Sequence, residues 1–89
     1  MTRFRIGNGV RWSVGTVGVT LVDACGEVHT LGYPEAAIFD LLSRRYSFAK
    51  VAALTAGIAC LDRAGAEALV RSTLERWADC GILERSERG

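Results

Sequence analysis

The residues best suited to covalent or metal chemistry are Cys25, Cys60, Cys80 and His29, and their arrangement gives them little to act with. The thiols are widely spaced, no CxxC occurs, and His29 is the sole imidazole. A tetrahedral zinc site needs about four clustered ligands, which this set does not offer. An odd number of distant cysteines is also a poor disulfide framework, so the thiols are expected to be small buried or half-buried groups in a reducing compartment. No spacing sets a cysteine beside His29 as a nucleophile beside its base. The carboxylates of Glu27, Asp40, Glu67 and Glu75 read as solvated face residues, not as a paired general acid and base. Gly7-Asn8-Gly9 does not both follow a strand and open a helix, so it is no phosphate loop. The expectation is a protein that is not an enzyme and needs no metal or cofactor.

Charge and hydropathy narrow the partners. The formal net charge is +1, too small for strong general attraction to nucleic acid or to an anionic membrane. No run of about 18 apolar residues exists to span a bilayer. The first residues, Met1-Thr2-Arg3-Phe4-Arg5-Ile6-Gly7, lack the apolar centre of a signal peptide, so the expected location is cytoplasmic. Hydrophobic residues make up 49% and charged residues 24% of the 89, as in an ordinary folded domain. One domain over 1–89 is expected, with its core from about 10 to 84.

The elements that would position any site follow from the hydrophobic periods. Val10, Trp12 and Val14 alternate with Arg11 and Ser13, the pattern of a half-buried strand. Gly15-Thr16 can turn the chain, and Val17, Val19 and Leu21 then mark one face of a second strand. Asp23-Ala24-Cys25-Gly26 suits a tight hairpin. A third strand returns over 27–31, with His29 and Leu31 on one face and Val28 and Thr30 on the other. Five residues do not settle which face turns inward.

Helices occupy the rest. Pro34 fits a first turn and Glu35 suits the positive end of the dipole, so the first helix is expected over 34–44. Its apolar stripe is Ala37, Ile38, Leu41 and Leu42. Ser47 is a good N-cap for a second helix, whose stripe reads Phe48, Val51, Leu54 and Ile58. Asp62 can cap the third, whose stripe is Ala66, Leu69, Val70, Thr73, Leu74 and Trp77. Arg63, Glu67, Arg71, Glu75, Arg76 and Asp79 fill its outer faces, with Glu67 and Arg71 at a favourable i, i+4 spacing. Gly81 is expected in the left-handed conformation that ends a helix. Ile82-Leu83 then folds under the core or forms a short strand, and the residues from Ser86 to Gly89 read as a polar tail. The segment Arg3-Phe4-Arg5-Ile6 is an extra strand or an arm. The fold class is α+β: a three-stranded antiparallel sheet followed by a trihelical winged-helix-like bundle.

Three helices with a strand pair raise the question of DNA. On the third helix, however, Glu67, Glu75 and Asp79 alternate with Arg63, Arg71 and Arg76, so the field that duplex binding requires is nearly cancelled. A sheet edge is the stronger candidate. A short sheet leaves unpaired N–H and C=O groups that an extended peptide can join. If the third strand is such an edge with the third helix beside it, Glu27, Val28, His29, Thr30 and Leu31 would bind a peptide through their backbone. Val70 and Leu74 would join Val28 and Thr30 in the floor of the groove, and Arg63, Glu67 and Arg71 would read charge at its rim.

Several stretches also carry a family resemblance. They are Leu21-Val22-Asp23, Gly26-Glu27-Val28-His29-Thr30-Leu31, Ala36-Ala37-Ile38-Phe39-Asp40-Leu41-Leu42, and the run through Leu69, Leu74 and Trp77 to Gly81-Ile82-Leu83-Glu84. Together they resemble the PqqD-like family, the RiPP recognition elements of peptide natural-product biosynthesis. Leu31-Gly32-Tyr33-Pro34 departs from the family's usual Leu-Asn entry to the first helix. The glycine frequent between the first two helices is absent from Ser43-Arg44-Arg45-Tyr46-Ser47.

The resemblance implies a freestanding partner that binds the leader of a ribosomally made precursor. The leader would lie beside the third strand and the last helix. The adaptor would then deliver it to a radical SAM enzyme, a cyclodehydratase or the split leader peptidase of lasso peptides. The alternatives are a winged-helix DNA-binding regulator and a structural subunit whose apolar groove is an oligomer interface.

Overall fold

The computed structural model describes residues 3–86, arranged as two small sheets and three helices. The strands are β1 (Arg3–Ile6), β2 (Arg11–Val14), β3 (Val19–Val22), β4 (Val28–Leu31) and β5 (Leu83–Ser86). The helices are α1 (Glu35–Ser43), α2 (Phe48–Ala59) and α3 (Arg63–Asp79). β2, β3 and β4 form an antiparallel sheet in that order, and β1 pairs with β5 in a separate two-stranded ribbon. The expected α+β plan of three strands and then three helices is therefore present. Arg3–Ile6 is a strand and Leu83 lies in its partner, so both of those open questions close on strand. Residues 87–89 of the expected tail lie outside the described residues.

Local chemistry sets the boundaries. Ser47 accepts a hydrogen bond from the Lys50 N–H at 3.2 Å, and Asp62 accepts one from the Gly65 N–H at 2.7 Å. Each satisfies a donor that its helix start would otherwise orphan. Gly81, at φ +89°, follows α3 as expected. Arg45 takes φ +64° in the link between α1 and α2, where the resembled family often has glycine. A residue with a Cβ pays for that left-handed geometry with roughly 1–2 kcal/mol.

The core lies between the β2–β3–β4 sheet and the helices. Phe39, fully buried, is its centre, with its ring edge-to-face with Trp12 of β2 at 5.5 Å and Trp77 of α3 at 5.7 Å. Burying a side chain of this kind contributes about 1.5–3 kcal/mol, and each such ring pair adds about 0.5–1.5 kcal/mol. Val19 and Leu21 of β3, Ile38 of α1, Val51 of α2 and Val70 of α3 close round it.

Five expectations about packing are corrected. Cys25, Cys60 and Cys80, expected to be buried or half-buried, are all exposed. Val17 is not in a strand: the Gly15 N–H donates to the Gly18 carbonyl at 2.8 Å, which closes a loop over 15–18 and leaves Val17 in solvent. β2 is exposed along its length, although Trp12 still reaches Phe39. The inward face of α2 is Val51, Ala52 and Thr55, while Phe48, Leu54 and Ile58 are exposed. Small residues line that face because α3 crosses close to it. Glu67 pairs with Arg63 at 3.8 Å, and Arg71 instead lies over the Phe48 ring at 5.2 Å.

Candidate functional site

The hairpin between β3 and β4 determines which backbone groups are free. Asp23 N–H donates to the Glu27 carbonyl at 3.0 Å, and Gly26 N–H donates to the Asp23 carbonyl at 3.0 Å, with Gly26 at φ +86°. Only glycine takes that φ without strain, and the result is a three-residue loop with a bulge. Antiparallel ladders alternate between bonded and non-bonded pairs. With Asp23 and Glu27 a bonded pair, the register makes Leu21 with His29, and Val19 with Leu31, the next bonded pairs. Val22 with Val28, and Thr20 with Thr30, are then the non-bonded ones. The N–H and C=O groups of Val28 and Thr30 therefore point away from β3, along an edge that no described strand covers.

The same parity applied to β2 turns Trp12 and Val14 outward on the opposite edge. The two edges differ in how they are held. Behind β4, the Asp23 carboxylate is 7% exposed and fully engaged. Its Oδ1 accepts from the backbone N–H groups of Cys25 and Glu27, both at 2.9 Å. Its Oδ2 lies 2.9 Å from His29 Nε2; a carboxylate only accepts, so Nε2 carries the proton. The hydrogen bond from His29, followed by that from the Glu27 N–H, holds the Asp23 carboxyl below the usual carboxylate range.

This geometry sorts the expected site residues. Val28 and Thr30 are exposed and offer both backbone and side chain. His29 and Leu31 are half-buried on the inner face, and their backbones are used by β3. Glu27 precedes β4 and spends its N–H and C=O on Asp23, so its expected backbone role is corrected. Val70 and Leu74 are 0% and 3% exposed and belong to the core, so the expectation that they floor a groove is corrected too. The face of α3 that carries them packs inward because it supplies the apolar stripe. Arg63 and Glu67 instead line a shallow cleft with Phe48, Ala49 and Ala52 of α2, and Arg71 caps the Phe48 ring. Sequence reasoning missed Phe48 as a surface residue because its spacing mimics a core position.

Asp23, Glu27 and His29 also bring three ligand atoms within 4.8 Å of one another. With both Asp23 oxygens already engaged inside the hairpin, the group works as a structural lock. No described helix is long and apolar enough to cross a membrane.

Two solved structures share this fold. One is TbiB1 in complex with the TbiA(beta) leader peptide, at TM-score 0.83 and 21% identity, covering 90% of this chain and 94% of that one. The other is a lasso peptide synthetase B1 complexed with the leader peptide, at TM-score 0.80 and 23% identity, covering 90% and 95%. At these identities the likeness establishes the fold. No protein-family model and no curated protein matches the sequence.

Proposed function

We propose that this protein is a PqqD-like RiPP recognition element. In this reading it is a non-enzymatic cytoplasmic adaptor that binds the leader region of a precursor peptide by strand addition at β4. It hands that leader to a modifying enzyme or a leader peptidase. The observation that carries the reading is the outward ladder at Val28 and Thr30, held rigid by the Asp23 lock. Main-chain pairing at such an edge supplies affinity that depends little on side chains. The two proteins that share the fold are each described in complex with a leader peptide, which favours β4 as a guest-accepting edge. One of them is called a lasso peptide synthetase B1, which favours a precursor of the lasso peptide class.

The test is titration of a fluorescent leader peptide from the precursor encoded beside this protein, followed by amide hydrogen exchange. We expect a Kd below about 100 µM, equivalent to roughly −5.5 kcal/mol, and new protection at the Val28 and Thr30 amides. No binding at that concentration, or protection appearing at Trp12 and Val14 instead, overturns the proposal.

A further inference from the structure

Charge is unevenly distributed along this chain. All eleven Lys and Arg lie outside 12–43, while Asp23, Glu27, Glu35 and Asp40 lie inside it. Four carboxylates and no Lys or Arg make that stretch formally −4 in a chain whose total is +1. It contains β3, the hairpin, β4 and α1, and hence the open edge. Asp40 is neutralised by Arg44 at 3.2 Å and Asp23 is consumed within the hairpin. The Glu27 side chain is 75% exposed, and its one ionic neighbour among the described residues is His29, at 3.8 Å.

The ladder parity states what a guest strand would meet. Guest residues bonded to Val28 and Thr30 alternate with residues lying beside His29 and Leu31. With an antiparallel guest the latter sit in non-bonded pairs, where Cα atoms approach to about 4.5 Å and side chains are closest. Their side chains lie on the inner face, in the row formed by Leu31, His29 and Glu27. Leu31 is half-buried against the core and offers apolar contact. Two residues away, His29 is flanked by the Glu27 and Asp23 carboxylates.

We propose that β4 selects a strand with an apolar side chain beside Leu31 and a basic one, two residues away, beside His29 and Glu27. This rests on the reading of β4 as the guest-accepting edge. Spacing by two holds for either strand direction, because strand side chains alternate between faces. The segregated negative charge steers a basic peptide toward this edge and disfavours an acidic one.

The test is a positional-scanning library of decapeptides applied to the wild-type protein and to the Glu27→Gln and Glu27→Lys variants. Amide shifts at Val28 and Thr30 report binding at the edge. Because the Glu27 side chain projects into solvent, both variants keep the hairpin's backbone bonds. We expect wild-type binders to carry Leu, Ile or Val two residues from Lys or Arg, with replacement of that base by Glu weakening binding about fivefold. Glu27→Gln should reduce this preference and Glu27→Lys reverse it. Edge binders that are indifferent to charge, or a preference unchanged in Glu27→Lys, overturn the inference while leaving the adaptor reading intact. A library in which nothing shifts the Val28 and Thr30 amides overturns both.

Discussion

Replacing Thr30 or His29 by proline tests the ladder parity directly. Proline removes one backbone donor and is tolerated in a sheet only where that donor faces solvent. The Thr30 N–H faces outward, so Thr30→Pro breaks no internal bond and should change stability by less than about 1 kcal/mol. The His29 N–H is paired with Leu21. His29→Pro loses that bond, worth about 0.5–1.5 kcal/mol, and sets a proline ring against the neighbouring strand, for a total of about 3 kcal/mol or more. In a domain of this size, 1 kcal/mol moves Tm by roughly 4–8 °C. Thr30→Pro should therefore melt within several degrees of Thr30→Ala, whereas His29→Pro should melt more than about 12 °C below His29→Ala. Peptide affinity should show the opposite pattern, with Thr30→Pro weakening leader binding at least about fivefold through loss of a guest bond. Thermal melts and peptide titration of the four variants give the answer. Equal destabilisation by the two prolines, or a larger loss from Thr30→Pro, would refute the assignment of outward groups to Val28 and Thr30.

Other perturbations probe the support of the edge. Phe39→Ala removes the ring between Trp12 and Trp77 and should cost about 3–5 kcal/mol in urea unfolding. Gly18→Ala places a Cβ against the Leu31 carbonyl at φ +154°, so calorimetry should show a loss of about 2 kcal/mol or more together with shifted β4 amides. Arg45→Gly relieves the left-handed strain at φ +64° and should raise stability by about 0.5–1 kcal/mol, measured by chemical denaturation. The carboxyls of Asp23 and Glu84 are both held below their ordinary range, Asp23 first by the His29 hydrogen bond and Glu84 first by the Asn8 N–H and then by Arg5. A depressed folded-state pKa gives stability that is complete above the unfolded value and lost as pH falls through the folded one. Tm should thus decline below about pH 4, and Asp23→Asn should flatten that decline in a pH series of melts.

What was legible in the sequence was what short-range chemistry determines. Ser47, Asp62 and Gly81 announced their helix ends because a cap acts within four residues. The hairpin at Asp23 and Gly26 was visible for the same reason. The faces of α2 were not, because the contact with α3 is made by Ala52 and Thr55, which carry little hydrophobic signal, while bulkier Leu54 and Ile58 stay outside. Val70 and Leu74 were correctly placed on one stripe of α3, but a stripe does not say whether it meets a core or a guest. The pairing of β1 with β5 was hidden because it joins the two ends of the sequence. The free row on β4 was legible as an edge; which of its groups are free follows only once one hairpin bond fixes the alternation.

The pairing of β1 with β5 bears on the order in which the fold closes. Arg5 and Glu84, joined at 2.9 Å, stand 79 positions apart, so the ribbon they clasp closes a long loop and is expected to form after the local hairpins. Until β5 docks, Phe4 and Ile6 lack the strand that pairs with theirs. The ribbon is therefore the part of this fold whose apolar side chains stay exposed longest during folding.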